Sequence, residues 1–319
     1  MSRSDVHPAH TFESWQVWPG SYDNPVVHDN FLMPPYTGPR ITKSTRIASM
    51  GSCFAREIKS ELLREGFAYI TEEADRPASK HASAAWERLY NTFSMRQIFE
   101  YTFGEFKPDV RWWEAPQTKT VQDPYRRIIL YGSEVEAQND FRHHVQCSRR
   151  ALESAEVIIL TLGLTEIWQD RFDGSVICLP SGPYVNEGGD MSRYEFRVSR
   201  YAENLENLER IGALLLEHNP MCHIFLTVSP VHLWATFRTD CDVVSASCNS
   251  KSTLRAVADE FTCSHRNVTY FPAFEMASIY RPMMGHTIYA EGRENFHVNR
   301  DTVRFIMKHF FEAYAIKEQ

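Results

Sequence analysis

The chain has 319 residues, of which 43 % are hydrophobic, 24 % charged and 13 % aromatic, the make-up of a soluble globular protein with room for a sizeable core. A net charge of −7, with no Lys/Arg-rich run, argues against nucleic acid as the main partner. Seven scattered cysteines without disulfide-like spacing, no apolar signal segment and no run of membrane-spanning length point to a cytoplasmic protein with free thiols and no membrane partner.

Residues 1–40 mix Trp15, Trp18, Tyr22 and Tyr36 with several prolines, which predicts an irregular arm packed on the rest through its aromatic rings. Residues 41–319 then read as one α/β domain with loop insertions. Residues 47–50 form a short apolar strand, and Phe54, Ile58 and Leu62 recur at helical spacing until Gly66. A second strand is expected at 67–70 and a polar loop at 72–86. Met95, Ile98, Phe99 and Phe103 mark a helix, 105–126 an irregular excursion, 127–131 a strand or hairpin arm, and 133–154 a long amphipathic helix. The nearly unbroken apolar run 157–163 has the character of a central parallel strand buried on both faces. Glycines and prolines make 170–197 a loop or hairpin insertion. Helices follow at 200–218, 250–264 and 300–314, with strands at 222–228 and 268–271 between them. Strands alternating with helices at this spacing call for a parallel sheet covered on both faces. Ligands of such sheets sit at the carboxyl ends of the strands, where Gly51-Ser52, Gly163 and Ser229 fall.

Ser52 follows a glycine at a strand end and opens a helix. The strand holds the hydroxyl, Gly51 permits a tight turn, and the first amides of the helix point at whatever the hydroxyl attacks. An ordinary N-cap fits the same position. A nucleophilic serine needs a base, a group to orient the base, and donors for the oxyanion. Among 13 histidines, His297 stands out because it precedes the last helix in a Gly-containing loop, with Glu294 three residues earlier. His232 and His286 are the competing histidines. Cys53 offers a less favoured thiol nucleophile. The phosphate-binding Gly motifs, Cys-x-x-Cys and His-Glu-x-x-His are all absent, so no cofactor and no metal are expected. His143 and Cys147 share a helix face but fall short of a zinc site.

Gly51-Ser52-Cys53-Phe54-Ala55 matches the signature of the GSCFA family, which resembles a branch of the SGNH (GDSL-like) hydrolases. The resemblance implies a three-layer α/β/α, flavodoxin-like parallel sheet with Ser52 as nucleophile. The SGNH Asp-x-x-His block corresponds to Glu294-x-x-His297, with one extra methylene on the carboxylate arm; Glu291 or a backbone carbonyl is the alternative orienting group. The Gly-x-Asn-Asp block corresponds to Gly163-Leu164-Thr165-Glu166, where Thr165 replaces the oxyanion-donating Asn. Asn91, in another family-like stretch, supplies a donor alongside Gly163, Thr165 and the amides near Ser52, although a cap or turn role suits it equally. Glu166, Trp168 and His232 are the expected substrate contacts. The stretches 227–231, 235–237, 250–255 and 270–272 resemble the family as well, so the likeness runs from about 45 to 310.

The activity implied is a serine esterase that removes small, acetyl-like groups from a carbohydrate or related ester through an acyl-enzyme on Ser52. An O-acyltransferase acting on a glycan would use the same nucleophile. A non-catalytic glycan-binding or scaffold module would keep only the fold.

Overall fold

The computed structural model describes residues 12–20, 30–108, 113–115, 120–126, 128–177 and 191–316. In chain order, β1 (Ile47–Gly51) leads into α1 (Cys53–Arg64), and α2 (Thr92–Phe103) precedes three short strands, β2 (Trp113–Ala115), β3 (Thr120–Gln122) and β4 (Leu130–Tyr131). After α3 (Glu134–Ser154) come β5 (Val157–Leu162), β6 (Glu166–Asp170), β7 (Val176–Ile177) and β8 (Tyr194–Val198). The chain continues through α4 (Tyr201–His218), β9 (His223–Val228), α5 (Val243–Ser264) and β10 (Val268–Tyr270). Last are α6 (Ala273–Glu275), a π-helical turn Met276–Tyr280, α7 (Arg281–Met283) and α8 (Arg300–Tyr314).

The central sheet has the order β1-β5-β9-β10, with every pairing parallel. Side chains along a strand alternate between faces, and here both faces are apolar. Ala48, Met50, Ile158, Leu160, Leu162, Ile224, Leu226 and Val228 pack with residues of α2, α3, α4 and α5 in one core. Ile47, Val157, Ile159 and Phe225 pack with α1, α8 and the 273–280 segment in the other. The result is the three-layer α/β/α arrangement implied by the sequence.

Side-chain caps set the helix starts. Ser52 caps α1, Asn91 Oδ1 accepts from the Ser94 amide at 2.8 Å at the start of α2, and Asn299 Oδ1 accepts from the Thr302 amide at 2.8 Å at the start of α8. Asp242 accepts from the amides of Val244 and Ser245, so α5 begins seven residues before the expected 250.

Three further segments depart from the sequence reading. Residues 67–70 add a single bridge, Ile47 to Tyr69, instead of a fifth strand. The free edge of β1 is completed in pieces: Ala68 and Ile70 bond Ile47, Ser83 bonds Ser49, and the Leu89 amide donates to the Gly51 carbonyl. Residues 72–86 are loop-like around the short helical turn Pro77–His81, as expected, but Ala78, Ala82, Ala84, Ala85 and Trp86 are buried instead of polar and solvated. Lys59 holds this segment by donating to the carbonyls of Ser79 (2.7 Å) and Ala82 (2.9 Å). Strands β2 and β3 stand where an irregular excursion is expected at 105–126 and join β4 in an antiparallel sheet β2-β3-β4; β4 itself and the antiparallel sheet β7-β6-β8 agree with the strand or hairpin arm at 127–131 and the hairpin insertion at 170–197. Arg126, 2 % exposed, pins the first of them by bonding Asp123 (2.8 Å) and Asp140 of α3 (2.9 Å).

In the N-terminal arm, Tyr36 meets Tyr314 edge-on at 4.8 Å and the Phe31 amide donates to His309, whereas Trp15 and Trp18 face solvent; Tyr22 lies outside the described residues. Among the described residues no helix is long and apolar enough to cross a membrane.

Candidate active site

β1 comes so close to β5 that a Cβ on Gly51, whose φ is +150°, would lie 2.5 Å from the Thr161 carbonyl oxygen. Only glycine fits there, and the next residue, Ser52, is thereby held against the end of β5. Ser52 is 4 % exposed, and its Oγ accepts from the Phe54 amide at 3.4 Å. Across from it stands Gly163, where a Cβ would meet the Tyr90 carbonyl oxygen at 2.7 Å and Ser52 Cβ at 3.3 Å. The amides of Gly163 (3.1 Å) and Leu164 (2.6 Å) both donate to that Tyr90 carbonyl. Thr165 is turned inward: its hydroxyl and amide bond Ser250 Oγ of α5 at 2.8 and 3.3 Å. Ser52, Gly163, Thr165 and the Tyr90-Asn91 step therefore form one compact corner at the carboxyl ends of β1 and β5. Asn91 Oδ1 is taken by its cap, which leaves the Nδ2 amide as its donor end.

His297 enters from the loop before α8. That loop is anchored by the Ala290 amide donating to the His297 carbonyl (2.8 Å) and the His232 amide donating to the Phe296 carbonyl (3.3 Å). The imidazole lies near enough to the Cys53 thiol to favour its ionised form. Burial alone would raise that thiol's pKa, but His297 and the charge of Arg88 bring it below the ordinary value, assisted by Tyr90, whose hydroxyl lies 3.8 Å from Sγ. Glu294 belongs to the turn Gly292–Glu294, and its side chain lies outside the described residues.

Sequence comparison fixes what this corner belongs to. The profile of the GSCFA family matches residues 46–310, nearly the whole chain. The chain belongs to the GSCFA family. No curated protein sequence matches it. Among solved structures, a Streptococcus pneumonia protein provisionally described as a platelet activating factor is 12 % identical, with 84 % of this chain and 83 % of that one covered and a TM-score of 0.40. A carbohydrate esterase family 3 structure from Talaromyces cellulolyticus is 8 % identical, with 83 % and 94 % covered and a TM-score of 0.35. A carbohydrate esterase family 2 enzyme with its carbohydrate-binding domain, from Corynascus thermopiles, is 12 % identical, with 89 % and 70 % covered and a TM-score of 0.31. Likeness at this level bears on neither activity nor substrate, and the fold stands on the sheet topology described above.

The remaining expected residues of this GSCFA protein line the flank of the corner. Glu166 accepts from the Thr236 hydroxyl and the Phe237 amide. Trp168 meets Phe196 at 5.5 Å and Phe237 at 5.1 Å, the latter edge-on, and its buried Nε1 has no partner among the described residues. Beside these rings runs a groove of about 800 Å³ lined by Phe196, Arg197, Tyr201, Phe237, Arg238 and Asn249, among others. His232 is engaged on both ring nitrogens, by Ser247 Oγ (2.8 Å) and the Tyr289 hydroxyl; burial and the nearby Lys251 push its pKa down. Among the described residues no group of three His, Cys, Asp or Glu is arranged to hold a metal ion.

Lys251 is the site residue to which sequence reasoning gave no role. It is 1 % exposed, and its Nζ donates to the Gly163 carbonyl at 2.8 Å. Burial brings its pKa down from 10.5 to about 7, a fall that the charge of Cys53 opposes. A signal was present, because Lys251 occupies the stripe of Ser247, Leu254 and Ala258, which is the buried face of α5. A lysine on an apolar stripe invites the question of what it serves.

Proposed function

We propose that this GSCFA protein is a serine esterase of the SGNH type that removes small acyl groups from a carbohydrate or related ester. The observation that carries the reading is the position of Ser52: at the end of β1, at the N-terminus of a twelve-residue helix, and packed against Gly163, in a chain that the GSCFA family matches over residues 46–310. Ser52 Oγ attacks the acyl carbon while His297 takes its proton, and the carbonyl becomes an oxyanion. Collapse breaks the bond to the leaving oxygen, which receives the proton from His297. Water then attacks the acyl-enzyme by the same route in reverse, releasing the carboxylic acid and restoring Ser52. Glu294 orients His297. Asn91 Nδ2 and the first amides of α1 stabilise the oxyanion, and the positive end of the helix dipole adds to them. With its hydroxyl and amide both on Ser250, Thr165 supports the corner from behind. The aromatic groove beside Trp168 offers ring faces on which a sugar stacks. If a sugar hydroxyl replaces water in the second step, the same acyl-enzyme yields an O-acyltransferase.

A second reading makes Cys53 the nucleophile, and the lowering of its thiol pKa by His297 and Arg88 favours it. One experiment separates the two. p-Nitrophenyl acetate hydrolysis is measured for the wild type, Ser52→Ala, Cys53→Ala and His297→Ala, with intact mass after a serine-directed phosphonate. Turnover lost in Ser52→Ala but kept in Cys53→Ala, with one adduct on Ser52, supports the serine esterase. The reverse pattern assigns the chemistry to the thiol, and a wild type with neither turnover nor adduct sinks both.

A further inference from the structure

A buried ammonium on the apolar face of a helix is costly unless it does something a methionine cannot. α5 buries Ala246, Ser247, Ser250, Leu254, Val257 and Ala258 around Lys251, and a thioether in its place would keep the packing without desolvating a charge. Nζ donates one bond, to the Gly163 carbonyl, and among the described residues no carboxylate pairs with it. That bond ends on the residue whose missing Cβ lets Ser52 and Tyr90 approach. The neighbouring helical position points the same way, since Ser250 bonds Thr165 two residues further along the turn. Two consecutive residues of α5 therefore hold the strand-end turn from below, one by a hydroxyl and one by an amine.

Resting on the Ser52 reading above, we propose that Lys251 is a positioning residue of the active site: its clamp on the Gly163 carbonyl holds the turn against Ser52, and its positive charge, next to Cys53, favours negative charge developing at the start of α1. The clamp acts through a short chain of contacts. Gly163 and Leu164 hold the Tyr90 carbonyl, and Tyr90 precedes Asn91, the side-chain oxyanion donor. A displacement of about 1 Å in such a chain costs on the order of 100-fold in rate. The charge acts on Cys53 of α1 and on His232 after β9, and Cys53 is in turn influenced by His297 on the loop before α8 and by Arg88 and Tyr90 ahead of α2. Burial of the ammonium brings its pKa down to about 7, so its charge changes around neutrality.

The test compares wild type, Lys251→Met and Lys251→Gln in p-nitrophenyl acetate hydrolysis, in thermal melting, and in the rate of Cys53 alkylation by iodoacetamide followed by peptide mass. Lys251→Met is expected to melt no lower than wild type, yet to lose about 10- to 100-fold in kcat with KM within about twofold. Its Cys53 alkylation at pH 7 should slow by about threefold or more, as expected when a nearby cation is lost. Lys251→Gln, a donor without charge, should recover part of kcat while its alkylation stays slow. Wild-type kcat in both variants, or unchanged Cys53 alkylation in Lys251→Met, overturns the proposal while leaving the Ser52 reading intact. Failure of both variants to fold also overturns it, because the lysine would then serve the structure. A wild type without turnover or phosphonate adduct refutes the Ser52 reading, and the positioning role falls with it.

Discussion

Gly163→Ala is the most direct probe of the corner that joins β1 to β5. The new methyl group would lie 2.7 Å from the Tyr90 carbonyl oxygen and 3.3 Å from Ser52 Cβ. Carbon needs about 3.5 Å from its neighbours, so the turn and the Tyr90 segment must separate by roughly 0.8 Å. Both hydrogen bonds into the Tyr90 carbonyl, from Gly163 and Leu164, stretch with that movement, and the bond from Lys251 shifts with them. Leaving a buried backbone group unpaired costs about 1–3 kcal/mol, whereas Ala in place of Gly recovers about 0.4–1 kcal/mol through the unfolded chain. The expected net loss is about 1–2 kcal/mol, read from urea unfolding followed by tryptophan fluorescence. The same displacement acts on Ser52, so kcat towards p-nitrophenyl acetate should fall by about 100-fold. An alanine variant within about 0.5 kcal/mol and twofold in kcat of the wild type would show that the close approach at Gly163 matters for neither stability nor catalysis.

Three further outcomes follow from burial and charge. Lys251 binds its proton only below about 7 when folded but below 10.5 when unfolded, so the unfolded chain holds more protons between those values. The resulting penalty is absent above 10.5 and fully present below 7, where it amounts to about 5 kcal/mol. Lys251→Met removes it but leaves the Gly163 carbonyl unpaired, so the variant should exceed wild type by about 2–4 kcal/mol near pH 6, and the gap should close towards pH 9.5; urea melts showing a pH-independent gap would contradict this. Glu73 behaves oppositely. Burial works against its carboxylate, but His144 (2.8 Å), the Ala85 amide and Arg126 hold its pKa down at about 2. Burial and Arg126 in turn push the His144 pKa down while Glu73 pulls it up. The stabilisation is present above about 4.5 and disappears as pH falls towards 2; Glu73→Gln should therefore cost about 2–3 kcal/mol at pH 7, and a loss that persists to pH 2 in urea melts would argue against it. Phe225, fully buried among His223, Phe310 and Tyr314, should cost about 3–5 kcal/mol on truncation to Ala, measured by the same unfolding assay.

Much of this architecture was legible along the chain. The runs 157–162 and 223–228 are apolar on both pleat faces, and the helices from 134, 201 and 300 carry their stripe at 3.6-residue spacing, so strand, helix and layer order were all encoded locally. The Gly-Ser step at a strand end marked one corner of the site for the same reason. Tertiary structure alone decided how β1 is completed by residues 68–70, 83 and 89 and why Ala78, Ala82, Ala84, Ala85 and Trp86 are buried. Those choices depend on partners dozens to hundreds of positions apart: Lys59 on Ser79 and Ala82, Arg126 on α3, Lys251 on Gly163 at a separation of 88 residues. Periodicity records which side of an element faces inward. It does not record which backbone carbonyl waits there, and a buried amine or guanidinium is tolerated only where such a partner has been brought into place.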